Sequence, residues 1–345
     1  MLGEKSGFVR RFLILGYTGY GNIGDELMLE SARRFLRSAF QNVVFITLLP
    51  DRGRLNPVHI LRSLKKSDGV VLCGGNLFQD ETSFRSFLYY WSVVRAALFM
   101  NKKVFFLNQG LGPLQSRIAR KLLKSILSNR NVGGYLRDRV SFRYAASCNS
   151  GFKLGWDTAV MAIEEVVSSL EEEPVSDYVC VIPTMRAKEK DVVEAITKMN
   201  KREVRLLSFE PRKDRIVLSR LADMLNKEGI STQIAPVGLK EALSVIAGTE
   251  FVISYRLHGA LIAAYLGVPF VVFGSAKNMR VLNTMDRDFR LFFKDGVSLL
   301  IALSHLKTYD FELLKRKYRE ELEKQKGNII EEIKDFFTER SGDHG

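Results

Sequence analysis

Short apolar runs alternate with amphipathic stretches along most of the chain, and nearly every apolar run stops at glycine or a small polar residue. That alternation leaves few options. Strands that are apolar on both faces must be covered on both faces, so the pattern predicts parallel sheets wrapped by helices. Strands are expected at Phe12–Leu15, Val43–Leu48, Gly69–Cys73, Val104–Asn108, Gly134–Leu136 and Phe152–Leu154, with helices near 25–39, 58–66, 84–100, 118–127 and 141–146. A second set follows, with strands at Tyr178–Ile182, Val204–Phe209, Thr232–Ala235, Phe251–Ile253 and Pro269–Phe273, and helices near 188–200, 214–227 and 241–247. The acidic segment 164–177, containing Glu171-Glu172-Glu173-Pro174, shows no strand pattern and marks a junction.

A chain of 345 residues exceeds one compact core, and domains of about 150 residues each are expected. The boundaries read as 1–165 for an N-terminal Rossmann-like domain, 178–310 for a C-terminal Rossmann-like domain, and 311–340 for a charged amphipathic helix, with Ser341–Gly345 disordered. Two Rossmann-like halves closed by a C-terminal helix suggest an α/β fold whose strand ends face a central cleft. This is the GT-B-like architecture, reached by analogy of fold and silent about chemistry.

Composition narrows the function classes. No apolar stretch is long and uninterrupted enough to span a bilayer, and the N-terminus, with Glu4, Lys5, Arg10 and Arg11, lacks a signal-peptide layout. Cys73, Cys148 and Cys180 are odd in number and form no Cys-x-x-Cys, which favours a reducing cytoplasm and no structural zinc. The net charge of +13 lies in clusters interleaved with apolar residues at helical spacing, the look of solvated helix faces. With no recognised nucleic-acid motif beside them, an anionic substrate or a loose attraction to the anionic inner face of the plasma membrane fits better than nucleic acid.

Chemistry concentrates at predicted strand ends, where open α/β sheets bind ligands. Ser254-Tyr255-Arg256-Leu257-His258-Gly259 carries an arginine and a histidine from a strand into a helix, a setting suited to a small anion, with a histidine able to move a proton. The first strand leads into Gly19-Tyr20-Gly21-Asn22-Ile23-Gly24-Asp25, formally Gly-x-Gly-x-x-Gly. Asp25 at the helix start would oppose a pyrophosphate, and the next acid, Asp51, falls too far along for a ribose partner. Asp25 either caps the helix or, with Asn22, meets sugar hydroxyls. Further ends read Gly74-Gly75-Asn76-Leu77-Phe78-Gln79-Asp80, Asn108-Gln109-Gly110-Leu111-Gly112-Pro113 and Tyr135-Leu136-Arg137-Asp138.

In this order, these residues resemble the polysaccharide pyruvyl transferase family, which includes bacterial enzymes that pyruvylate cell-wall polymers. The matching pieces are Gly21–Asp25, Gly74–Asp80, Gln109–Pro113, Leu136–Asp138, Asp157, and Tyr255–Gly259 followed by Gly267-Val268-Pro269; Asn76 stands where a third glycine is expected. The resemblance implies a metal-independent enzyme without a cofactor, phosphoenolpyruvate as donor, and a sugar or lipid-linked glycan acceptor that receives a pyruvyl ketal as phosphate departs. Donor-binding residues would be Arg256, His258, Arg137 and Lys277, with Arg256 and His258 catalytic. Acceptor contacts would come from Asn22, Asp25, Asn76, Gln79, Asp80 and Gln109. A GT-B glycosyltransferase gripping ribose with Glu241 or Glu250 is the nearest rival, and a non-enzymatic carbohydrate-binding protein is a third reading.

Overall fold

The computed structural model describes residues 9–50, 53–168 and 176–339. Asp51, residues 169–175 of the acidic junction, Glu4, Lys5 and Ser341–Gly345 therefore lie outside the described residues. The described chain forms two compact units, one from residues within 1–20, 28–162 and 322–345, the other from residues within 21–27 and 163–321.

The first unit is built on a six-stranded parallel sheet of order β2-β1-β3-β4-β5-β6. Its strands are β1 (Arg10–Leu15), β2 (Val43–Thr47), β3 (Gly69–Cys73), β4 (Lys103–Gln109), β5 (Val132–Leu136) and β6 (Phe152–Leu154). Every residue of β3 and β5 is buried, as a sheet covered on both faces demands. The covering helices are α1 (Ile23–Ala39), α2 (Pro57–Lys66), α3 (Phe84–Phe99), α4 (Arg117–Leu127) and α5 (Arg139–Ala146). In α3 the aromatic residues Phe87 and Tyr90 turn into the core, and Trp91 donates from Nε1 to the Leu122 carbonyl at 2.8 Å.

The second unit repeats the plan with order β12-β11-β10-β7-β8-β9. After a short helix α6 (Glu164–Ser168) come β7 (Ser176–Ile182), α7 (Glu189–Lys198), β8 (Glu203–Leu206), α8 (Pro211–Lys227), β9 (Ser231–Ile234), α9 (Leu239–Ala247), β10 (Thr249–Ser254), α10 (Leu257–Leu266) and β11 (Phe270–Phe273). Next in the chain are α11 (Ala276–Met285), β12 (Phe292–Phe293), α12 (Gly296–Ser304) and α13 (Phe311–Thr338). The sequence pattern does not reveal α6, α11, α12 or β12. It also runs β8 on to Phe209, whereas the strand stops at Leu206 because Ser208, Phe209 and Glu210 all bond to Asp214 instead.

Glycine decides the packing at the ends of two elements. Helix α10 is buried along Leu257–Tyr265, so it reads as apolar on every side, and it stops at Gly267, whose φ of 82° closes the left-handed cap. In the first unit the end of α13 supplies Phe337, whose ring lies edge-on to Phe12 with centroids 4.7 Å apart. A Cβ on Gly69 would come within 2.3 Å of that same ring, so glycine at the start of β3 makes room for it.

Candidate active site

In the second unit the strand order reverses between β7 and β10, which makes the carboxyl end of β10 a topological switch point. Ser254, the last residue of β10, accepts from the Arg256 amide at 3.2 Å and donates to the Arg256 carbonyl at 2.7 Å, locking the turn into α10. Arg256 is the N-cap of α10, and His258 is the second residue of the helix, only 6% exposed. Gly259 lets the helix start close to β7 and β10, since a Cβ there would approach Ile182 Cδ1 to 2.6 Å and Ser254 Oγ to 2.7 Å. The Tyr255 ring stacks on Phe273, and burial, then Asp191, pushes its hydroxyl well above the usual phenol range, so it stays neutral.

The glycine-rich segment 21–27 belongs to this second unit, although it follows the first strand of the first. Ile23 donates its amide to the Phe209 carbonyl at 2.9 Å. Asn22, not Asp25, is the cap of α1: its Oδ1 accepts from the amides of Gly24 at 3.1 Å and Asp25 at 3.4 Å. Gly24 faces the imidazole so closely that a Cβ would fall 1.8 Å from Nδ1 of His258. The motif glycine is there for His258, and no phosphate cradle is needed to explain it.

Arg256 is held by two carboxylates that the sequence pattern did not single out. Nη1 meets Glu210 Oε2 at 3.2 Å and Nη2 pairs closely with Asp214, whose side chain is fully buried. Glu210 Oε1 also pairs with Lys213 at 2.7 Å, while Asn22 Nδ2 reaches Glu210 Oε2 at 3.5 Å. The other Asp214 oxygen accepts from the Phe209 and Glu210 amides at 3.1 and 2.8 Å. A guanidinium has five N–H donors, so after these pairs Arg256 keeps donors for an anion; its Nε is buried and bonds nothing among the described residues. Ser208-Phe209-Glu210-Pro211, an acid at a strand end ahead of a proline-headed helix, was the available signal.

Lys277 lies in the first turn of α11, after β11, the strand beside β10. The remaining predicted residues belong to the first unit. Arg137 is wholly buried, with Nη1 on Asp157 Oδ2 and Nη2 on Asn76 Oδ1, both at 2.6 Å. Asn76 completes the chain by donating to the Gly112 carbonyl at 2.6 Å, and Gln109 donates to the Gly74 carbonyl at 2.6 Å. This network ties the ends of β3, β4 and β5 together. It also explains Gly110, where a Cβ would sit 2.1 Å from Asn76 Oδ1. Asp80 accepts from the amides of Gln115 and Ser116, each at 2.7 Å, and Gln79 accepts from the Thr82 amide at 3.0 Å, so Gln79 holds its own loop and Asp80 ties that loop to the start of α4.

Asn22, Asp25, Arg256, His258 and Lys277 thus fall in one unit, and Asn76, Gln79, Asp80, Gln109 and Arg137 in the other. Among solved structures the chain is similar to the UDP-GlcNAc 2-epimerase from Neisseria meningitidis bound to UDP-GlcNAc, at 12% identity and a TM-score of 0.59, covering 95% of this chain and 99% of that one. It is also similar to a glycosyltransferase from Rickettsia africae (11%, TM-score 0.59, 95% and 99% covered) and to the UDP-GlcNAc 2-epimerase from Methanocaldococcus jannaschii (14%, TM-score 0.53, 90% and 99% covered). At these identities the likeness is one of fold, the GT-B-like α/β architecture. No curated protein matches the chain in sequence. The polysaccharide pyruvyl transferase family model matches residues 22–277, from the cap of α1 to the first turn of α11. The chain belongs to the polysaccharide pyruvyl transferase family, and is a transferase.

Proposed function

We propose that the chain moves the pyruvyl group of phosphoenolpyruvate onto two hydroxyls of a sugar, forming a ketal and releasing phosphate. The observation that carries this reading is the placement of His258, enclosed between the start of α10 and Gly24, two residues after an arginine fixed at the helix N-cap. Phosphoenolpyruvate is a dianion or more, so its site needs fixed cations and helix-end amides. Arg256 supplies the cation. Its carboxylate partners hold the fork still and leave donors for phosphate or carboxylate oxygens.

The chemistry balances with one proton donor. His258 in its protonated form gives a proton to the methylene carbon, leaving an oxocarbenium-like centre at the carbon that bears the phosphate. A sugar hydroxyl adds there, phosphate leaves with the electron pair of its C–O bond, and the second hydroxyl closes the ketal. The two hydroxyl protons go to His258 and to the departing phosphate. Asp25 shares a unit with His258 and is the carboxylate assigned to receive a hydroxyl proton in transit, whereas Asp80 is bonded to Gln115 and Ser116.

The rival nucleotide-sugar reading needs a ribose-gripping acid at a strand's carboxyl end. Glu250 stands at the opposite end of β10 from Arg256 and is paired with Lys201, and Glu241 folds back over Gly238 in the first turn of α9. Ligand-dependent melting separates the two readings: phosphoenolpyruvate should raise the melting temperature and UDP should not. The reverse pattern would rule the pyruvyl reading out. In the same assay series, His258→Ala should cut phosphate release from phosphoenolpyruvate by about a hundredfold.

A further inference from the structure

We propose that Arg54 is an anion-recognition residue of the first unit and that it takes the phosphoryl group of a phosphorylated sugar. Arg54 lies in the turn before α2 and is 6% exposed. Its Nη2 donates to the Gly16 carbonyl at 2.9 Å and pairs closely with the Tyr90 hydroxyl. Its Nη1 is buried and bonds nothing among the described residues, and no described carboxylate pairs with it. The contrast with buried Arg137 and half-buried Arg256 is sharp, for Arg137 has Asp157 and Arg256 has Glu210 and Asp214. A guanidinium kept from water without a counterion is costly, and a bound anion removes that cost.

Position and surroundings say what kind of anion. Gly16 directly follows β1, and the first sheet reverses its strand order between β1 and β3, so Arg54 reaches that sheet's own switch point. Around the guanidinium stand the rings of Tyr20, Tyr89 and Tyr90, with centroids 5.6, 5.1 and 5.4 Å from its central carbon. Tyr20 is stacked on Tyr17, ring centroids 4.3 Å apart and 11° from coplanar, and both are half-buried. The backbone at Tyr20 is flanked by Gly19 and Gly21 with φ of 81° and 78°, the left-handed region that glycine enters freely. A bare inorganic anion gains little from such rings. A sugar carrying a phosphate uses both, its apolar ring face on tyrosine and its phosphate on the arginine fork.

If the pyruvyl-transfer reading holds, this ligand is the acceptor, and only that word depends on it. The test is calorimetric titration of the full chain with glucose 1-phosphate, with glucose, and with phosphoenolpyruvate. The wild-type chain should bind glucose 1-phosphate at least about tenfold tighter than glucose. Arg54→Gln should lose that preference and keep its affinity for phosphoenolpyruvate, while Tyr20→Leu should weaken glucose 1-phosphate severalfold. A folded Arg54→Gln chain that keeps the preference overturns the site. Loss of phosphoenolpyruvate binding in that variant overturns the acceptor assignment and makes Arg54 a donor residue. Should Arg54→Gln not fold, Tyr20→Leu decides, and unchanged affinity for glucose 1-phosphate overturns the proposal. A wild-type chain that shows the preference yet ignores phosphoenolpyruvate supports the Arg54 site and discards pyruvyl transfer instead.

Discussion

A methyl group on Gly24 would lie 1.8 Å from Nδ1 of His258, inside any permissible contact, so helix α1 can begin here only with glycine while the imidazole keeps its place. Gly24→Ala is therefore expected to displace His258 and to cut phosphate release from phosphoenolpyruvate by about a hundredfold, as His258→Ala does. The two losses share one cause and should not multiply in the double variant. In urea, Gly24→Ala/His258→Ala should be more stable than Gly24→Ala alone, because the second change removes the atoms the methyl strikes. Multiplying losses, or no regain of stability, would separate Gly24 from His258.

Arg256→Ala is a change to stability as well as to binding. It leaves the buried carboxylate of Asp214 without its cation, and Glu210 with Lys213 alone. Removing one side of a buried ion pair costs about 3–5 kcal/mol, which a shift of the urea midpoint at constant slope would register. Arg256→Lys keeps the charge but not the fork, and should recover part of the stability with little of the phosphate release. Equal recovery of both would show that the forked geometry is dispensable.

The Arg137–Asp157 pair, both side chains fully buried and 2.6 Å apart, separates a scaffold role from donor binding. Arg137→Met should destabilise the first unit by about 3–5 kcal/mol, and Arg137→Met/Asp157→Leu should regain much of that. Affinity for phosphoenolpyruvate, measured by calorimetry on the stabilised double variant, then reports Arg137 alone. Affinity at the wild-type level would remove Arg137 from the donor set.

The three thiols should differ in reactivity. Cys73 and Cys180 are buried and Cys148 is half-buried, and burial pushes the Cys180 thiol far above its usual range, so it does not ionise to the reactive thiolate. Labelling with a thiol-reactive dye in native buffer should modify Cys148 first, with Cys73 and Cys180 following only in denaturant. Peptide mapping reads the order directly, and early labelling of Cys180 would contradict the burial described for β7.

The alternation of strands and helices was legible because a sheet buried on both faces writes itself as apolar runs, as in β3, found at Gly69–Cys73 as the pattern predicts. The reach of β8 was not, because its end is decided by Asp214, which faces back from the next helix and takes the amides a longer strand would have paired. Local pattern carries no record of such a reach. Arg256 and His258 could be found from their place after an apolar strand, but the carboxylates on Arg256 come from the cap and first turn of α8, far off in the sequence. Arg54 was invisible for a further reason: it sits in a polar turn whose composition is that of any surface loop, and only the three tyrosines around it reveal that it is buried.

Phe337 fills the space that Gly69 leaves at the start of β3, and it arrives near the end of a chain whose first strand is made near the beginning. On the ribosome, β1 to β6 emerge long before that ring exists. The hollow beside Phe12 can therefore be filled only after residues 163–321, nearly all of the second unit, have been made.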